Sequence, residues 1–121
     1  MTRILYVDDE ADIREVAQMS LELDPELEVR TCASGVAAIL EAASWQPALI
    51  LLDVMMPGMD GPTVFARLRD QPATATIPVV FITARTQASE VRGFEELGAR
   101  GVLAKPFDPM TLSTRVREFL G

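Results

Sequence analysis

The chain has 121 residues, enough for one ordinary domain whose core needs neither disulfides nor a structural metal. Its single Cys32 cannot bridge internally, and with no histidine anywhere, Cys/His zinc sites and His-dependent catalysis within the chain are excluded. Eleven Lys and Arg against eighteen Asp and Glu give a net charge of −7, which argues against direct binding to nucleic acid or to an anionic membrane.

Apolar residues make up 49% of the chain and charged ones 24%, the proportions of a globular domain. Ala48 to Leu52, as long as any apolar run here, falls far short of the ~20 residues that span a bilayer. The N-terminus meets acids before a signal-peptide core can form, so a cytoplasmic location is expected.

Short β-rich runs alternate with stretches of helical periodicity, five times over. Ile4 to Val7 reads as the first strand, and Ile13, Val16, Ala17 and Leu21 mark one face of the first helix, which Asp24-Pro25 stops. Leu27 to Cys32 suits an edge strand. Ser34-Gly35 turns the chain into a second helix marked by Val36, Ile39, Leu40 and Ala43, which Pro47 ends.

Ala48 to Leu52 is apolar on both faces, as a central parallel strand covered by helices must be, and ends at Asp53. Pro57-Gly58 suits the centre of a type II turn before a third helix with Val64, Phe65 and Leu68 inward. Ile77 to Ile82 is the fourth predicted strand. Val91, Phe94 and Leu97 carry a fourth helix closed by Gly98, and Gly101 to Ala104 a fifth strand. Asp108 is expected to cap the last helix with Pro109 at its first position, and Leu112, Val116, Phe119 and Leu120 form its inward stripe. The expectation is a single (βα)5 domain over residues 1–121, an α/β doubly wound parallel sheet with right-handed crossovers and no output domain in this chain.

Asp8 and Asp9, Asp53, Thr83 and Lys105 fall at the carboxyl ends of strands one, three, four and five. In an open doubly wound sheet these ends share one edge, where ligands bind. Three gathered carboxylates repel one another unless a divalent cation or an ammonium lies between them. Lys105 supplies the ammonium, and Mg2+, which favours carboxylate and phosphate oxygens, matches the rest. A carboxylate in such a place can attack a phosphoryl group, and Asp53, at the end of the most buried strand, is the candidate nucleophile.

Val7-Asp8-Asp9, Leu51-Leu52-Asp53 with Met56-Pro57-Gly58-Met59-Asp60-Gly61, Ile82-Thr83-Ala84 and Lys105-Pro106-Phe107 together resemble the receiver domain of two-component response regulators, across essentially the whole chain. The resemblance implies a flavodoxin-like sheet of order 2-1-3-4-5 and a phosphorylation-dependent switch, enzymatic only in its own phosphorylation and dephosphorylation. It implies that Asp53 accepts a phosphoryl group from a phosphohistidine on a sensor histidine kinase or histidine phosphotransfer protein. It further implies Mg2+ held by Asp9, Asp53 and the Met55 carbonyl, with Asp8 acting through water; Thr83 and Lys105 on the phosphoryl oxygens; and a cis Lys105–Pro106 bond. Its partners would be downstream proteins, a phosphorylation-dependent homodimer among them.

One position departs from the pattern: Val102 stands where the family commonly has Tyr or Phe, so signal transmission is expected through the strand-four loop and Arg85. The rival readings are an unphosphorylated pseudo-receiver that binds proteins constitutively, an Asp-nucleophile phosphohydrolase and a flavodoxin-like electron carrier. All five motif residues are present, which counts against the first. Asp53-Val54-Met55 lacks the second carboxylate of the phosphohydrolase, and Asp8-Asp9-Glu10 would repel a flavin phosphate.

Overall fold

A computed structural model describes residues 1–120. Five strands alternate with five helices: β1 Thr2–Val7, α1 Ala11–Leu21, β2 Leu27–Cys32, α2 Gly35–Trp45, β3 Leu49–Asp53, α3 Gly61–Arg69, β4 Val79–Thr83, α4 Ala88–Glu96, β5 Gly101–Ala104 and α5 Leu112–Leu120. All four strand pairings are parallel and the sheet order is β2-β1-β3-β4-β5, the doubly wound order expected.

Strand alternation sorts the core into two layers. Leu5, Val7, Ile50, Leu52, Val79 and Phe81 face α2 and α3, while Ile4, Tyr6, Leu49, Leu51, Val80 and Ile82 face α1 and α5. β3 and β4 are buried at every residue, which is why their sequences are apolar on both faces up to a terminal Asp53 and Thr83. On the α2/α3 side, the rings of Phe65, Phe81 and Phe94 stand in a row, with centroids 5.5 and 4.7 Å apart.

Local chemistry sets the element ends. The Ser34 side chain accepts from Ala37 N at 3.2 Å at the start of α2, and Asp60 accepts from Thr63 N at 2.9 Å at the start of α3. Gly98, at φ +108°, closes α4: its N–H donates to Glu95 and that of Ala99 donates to Phe94, the paired bonds of a Schellman ending.

Several expectations are corrected. β4 begins at Val79, because Pro78 brings no N–H to a ladder and the Ile77 carbonyl accepts from Arg69 instead. α5 begins at Leu112. Asp108 accepts from Met110 N at 2.9 Å in a turn that precedes the helix, so neither Asp108 nor Pro109 holds the helical position expected of it. Gly58 takes φ +80°, the left-handed value the expected turn needs at that position, and Met59 N donates to the Pro57 carbonyl, so the hydrogen bond closes over three residues instead of four.

The inward face of α2 is Gly35, Ala38, Ala42 and Trp45, while Val36 and Leu40 are exposed. Val16 and Leu97 are likewise exposed, and α4 buries no residue completely. Trp45 packs at the end of α2, with the Arg30 guanidinium 4.6 Å from its ring centroid. Cys32 is buried. No described helix is long and apolar enough to cross a membrane.

Candidate functional site

The sheet order places the carboxyl ends of β1, β3, β4 and β5 along one edge, and the predicted residues meet there. Asp53 is the last residue of β3 and Thr83 of β4, while Asp8 and Lys105 each stand one residue beyond β1 and β5. Lys105 Nζ lies 3.1 Å from an oxygen of Asp8, 3.1 Å from one of Asp53 and 3.4 Å from one of Glu10. The Lys105–Pro106 peptide bond is cis.

Asp8 and Asp53 are almost wholly buried, at 0% and 2% exposed. Burial, with the neighbouring Asp8 charge, pushes the Asp53 carboxyl above its ordinary value; the Lys105 ammonium and the Met55 N–H oppose that rise without cancelling it. For Lys105, burial pulls the ammonium down, but hydrogen bonds and attraction from Asp8 and Asp53 outweigh it and hold the pKa above the ordinary lysine value. The site therefore contains a fixed cation and a carboxylate whose charge is costly until something compensates it.

Asp9 is exposed and lies with Asp8 and Glu10 in a group of carboxylates whose ligand atoms fall within 4.8 Å of one another. This donor set, all hard oxygen, fits Mg2+ better than a soft transition metal. Asp53 is not part of that compact group; it is joined to it through Lys105. The Met55 side chain is 79% exposed, while its backbone N–H donates to Asp53. Thr83 Oγ1 accepts from Arg85 N at 3.1 Å, which ties the hydroxyl to the loop after β4. Glu10, Asp53, Met55, Thr83, Ala84, Lys105 and Pro106 line one open depression at this edge.

The sequence reading missed three contributors. Glu10 completes the acidic group and reaches Lys105. Arg14 donates from Nη1 to the Asp8 carbonyl at 2.8 Å, fastening the loop between β1 and α1. Tyr6 donates its hydroxyl to Asp8 Oδ2 at 3.1 Å. Glu10 adjoins the Asp pair and was legible by proximity, whereas Arg14 and Tyr6 required side-chain reach that periodicity does not encode.

Residues 4–117 match the family model described as "Response regulator receiver domain", so the chain belongs to the response regulator receiver family. It is 48% identical over 118 residues to "Response regulator PleD" of Caulobacter vibrioides, covering 95% of this chain and 25% of that protein. It is 40% identical over 121 residues to "DNA-binding dual master transcriptional regulator RpaA" of Synechocystis, covering 99% of this chain and 49% of the relative. The chain thus spans a quarter to a half of these curated relatives. Among solved structures, the Vibrio cholerae chemotaxis protein CheY4 superposes with a TM-score of 0.88 at 32% identity, covering 98% of each chain.

Proposed function

We propose that this receiver domain is a phosphorylation-operated switch in which Asp53 is the phosphoacceptor and a phosphohistidine on a sensor histidine kinase or histidine phosphotransfer protein is the donor. The observation that carries this reading is Lys105 held between Asp8 and Asp53 at 3.1 Å from each, beside the Thr83 hydroxyl on the same edge. An Asp53 carboxylate oxygen attacks phosphorus, the phosphorus–nitrogen bond breaks, and its electron pair returns to the imidazole. Lys105 and Thr83 then donate to the phosphoryl oxygens. In a second displacement, attack of water at phosphorus breaks the bond to Asp53, whose oxygen leaves as carboxylate, and releases inorganic phosphate, so the signal decays.

Asp9, Asp53 and the Met55 carbonyl would hold Mg2+, with Asp8 acting through water and Glu10 beside them. When bound, Mg2+ supplies positive charge against the phosphoryl oxygens and the crowded carboxylates. Burial pushes the Asp53 carboxyl above its ordinary value, and a cation held beside it would favour its charged, nucleophilic form. Modification is then read by downstream proteins or by a second phosphorylated copy of the chain, without direct contact to nucleic acid or membrane by this acidic domain.

The test is incubation with acetyl phosphate, with Mg2+ or with EDTA, read by intact mass on wild type and Asp53→Ala. A Mg2+-dependent, phosphate-sized increase on wild type alone is expected. A folded wild type that forms no adduct overturns this reading in favour of a constitutive protein-binding module.

A further inference from the structure

Tyr6 is the sole tyrosine of the chain, lies within β1 and is 0% exposed. Its ring meets that of Phe107 edge-on, with centroids 6.3 Å apart, on the α1/α5 side of the sheet. Core filling at this position asks only for apolar bulk. A phenol there adds a hydroxyl that must find a partner, since a buried unpaired one costs about 1 to 3 kcal/mol. The partner is Asp8 Oδ2, at 3.1 Å.

That same oxygen accepts from Lys105 at 3.1 Å, while Asp8 Oδ1 accepts from Glu10 N at 2.9 Å. Three donors on two oxygens fix the plane of the carboxylate and leave spare acceptor capacity on Oδ1. Lys105 alone would hold Asp8 poorly, because its ammonium is shared with Asp53 and Glu10. The phenol is rigid, buried and committed to Asp8.

We propose that Tyr6 is a positioning residue for Asp8: its hydroxyl holds the carboxylate in the orientation from which it serves the Mg2+ site. It touches neither phosphoryl group nor metal, and acts only through Asp8. The inference deepens the phosphoacceptor reading and rests on it for its functional meaning.

Tyr6→Phe removes the hydroxyl and keeps the ring against Phe107, so the variant is expected to fold. Mg2+ is titrated calorimetrically into the unphosphorylated protein. Loss of such an orienting partner typically weakens metal affinity 10- to 100-fold, and the expected result is a Kd about 10-fold higher for Tyr6→Phe. In wild type, the tyrosine absorption band should shift with the same Mg2+ midpoint. In an Asp8→Asn background, Tyr6→Phe should change affinity less than about twofold, since the group it positions has been altered.

Mg2+ affinity of Tyr6→Phe within about twofold of wild type overturns the proposal. So does a full-sized loss that persists in the Asp8→Asn background, which would assign Tyr6 to packing alone. The titration involves no phosphorylation, so its outcome is separable from the acetyl phosphate test. A wild type that binds Mg2+ without forming an adduct sinks the phosphoacceptor reading, while the titration alone decides the Tyr6–Asp8 relation.

Discussion

Lys105 and Asp53 join β5 to β3 across the intervening β4, with Nζ 3.1 Å from a carboxylate oxygen that burial has raised above its ordinary pKa. A raised folded-state pKa means that the folded protein binds its proton more tightly than the unfolded chain does. The stability this gives is fully present at low pH and is lost as pH climbs from the ordinary carboxylate range through the raised value. Without Mg2+, Asp53→Asn should therefore be more stable than wild type at pH 7, by about 1 kcal/mol in urea unfolding, with the gap closing toward pH 4. Added Mg2+ should narrow the gap at pH 7 by binding wild type preferentially. A gap that widens on acidification would contradict the sign.

Gly61 offers a steric test of how Asp53 is held. A Cβ there would lie 2.6 Å from the Asp53 carbonyl oxygen and 2.9 Å from Val54 Cα, both backbone atoms. Gly61→Ala should cost about 1 to 3 kcal/mol, and it should slow adduct formation by displacing the main chain of Asp53. Gly58→Ala is the contrast: nothing lies within 4 Å, but φ is +80°. It should cost about 1 kcal/mol through backbone strain and leave the rate near wild type. Thermal melts and the acetyl phosphate time course on both variants check the pair.

The contrast between helix faces and strand ends explains what the sequence discloses. β3 and β4 are legible because burial on both faces leaves one pattern, an apolar run that breaks only at Asp53 and Thr83. The site residues are legible for a related reason: parallel strands bring their carboxyl ends to one edge whatever the loop details. α2 misleads because ranking by hydrophobicity selects Val36 and Leu40, whereas close approach selects small residues. A Cβ on Gly35 would stand 2.5 Å from Val64 Cγ2, and Ala38 and Ala42 continue that tight seam. The start of α5 is hidden because Asp108-Pro109 suits a turn as well as a helix start.

Cys32 tests the depth of the core beneath β2. Burial pushes its thiol up to about 11, with the Glu41 charge adding to the rise and Arg14 opposing it. At pH 8 the folded protein should resist iodoacetamide for hours, while urea-unfolded chain is alkylated within minutes; intact mass follows both. Because the folded pKa is raised, stability should fall as pH rises from the ordinary thiol range toward about 11. Rapid alkylation of folded protein at pH 8 would place the thiol nearer solvent than the structure does.

The link between Thr83 and Arg85 bears on how modification leaves the site. Val102 is half-buried on β5 opposite Phe81 and has no aromatic ring to swing, so an aromatic switch at that position is unavailable. Thr83 Oγ1 instead accepts from Arg85 N at 3.1 Å, and Val54, Ala84, Arg85, Glu90 and Phe94 line a depression running from the loop after β3 to α4. A hydroxyl that turns to donate to a phosphoryl oxygen changes what it offers the Arg85 N–H, and the loop moves with it. In 15N spectra, phosphorylation should shift the Arg85 amide by more than that of Val102. Thr83→Val, which keeps the shape and removes the acceptor, should abolish most of the Arg85 shift while Asp53 is still modified. An Arg85 amide unmoved in phosphorylated wild type would rule out this route.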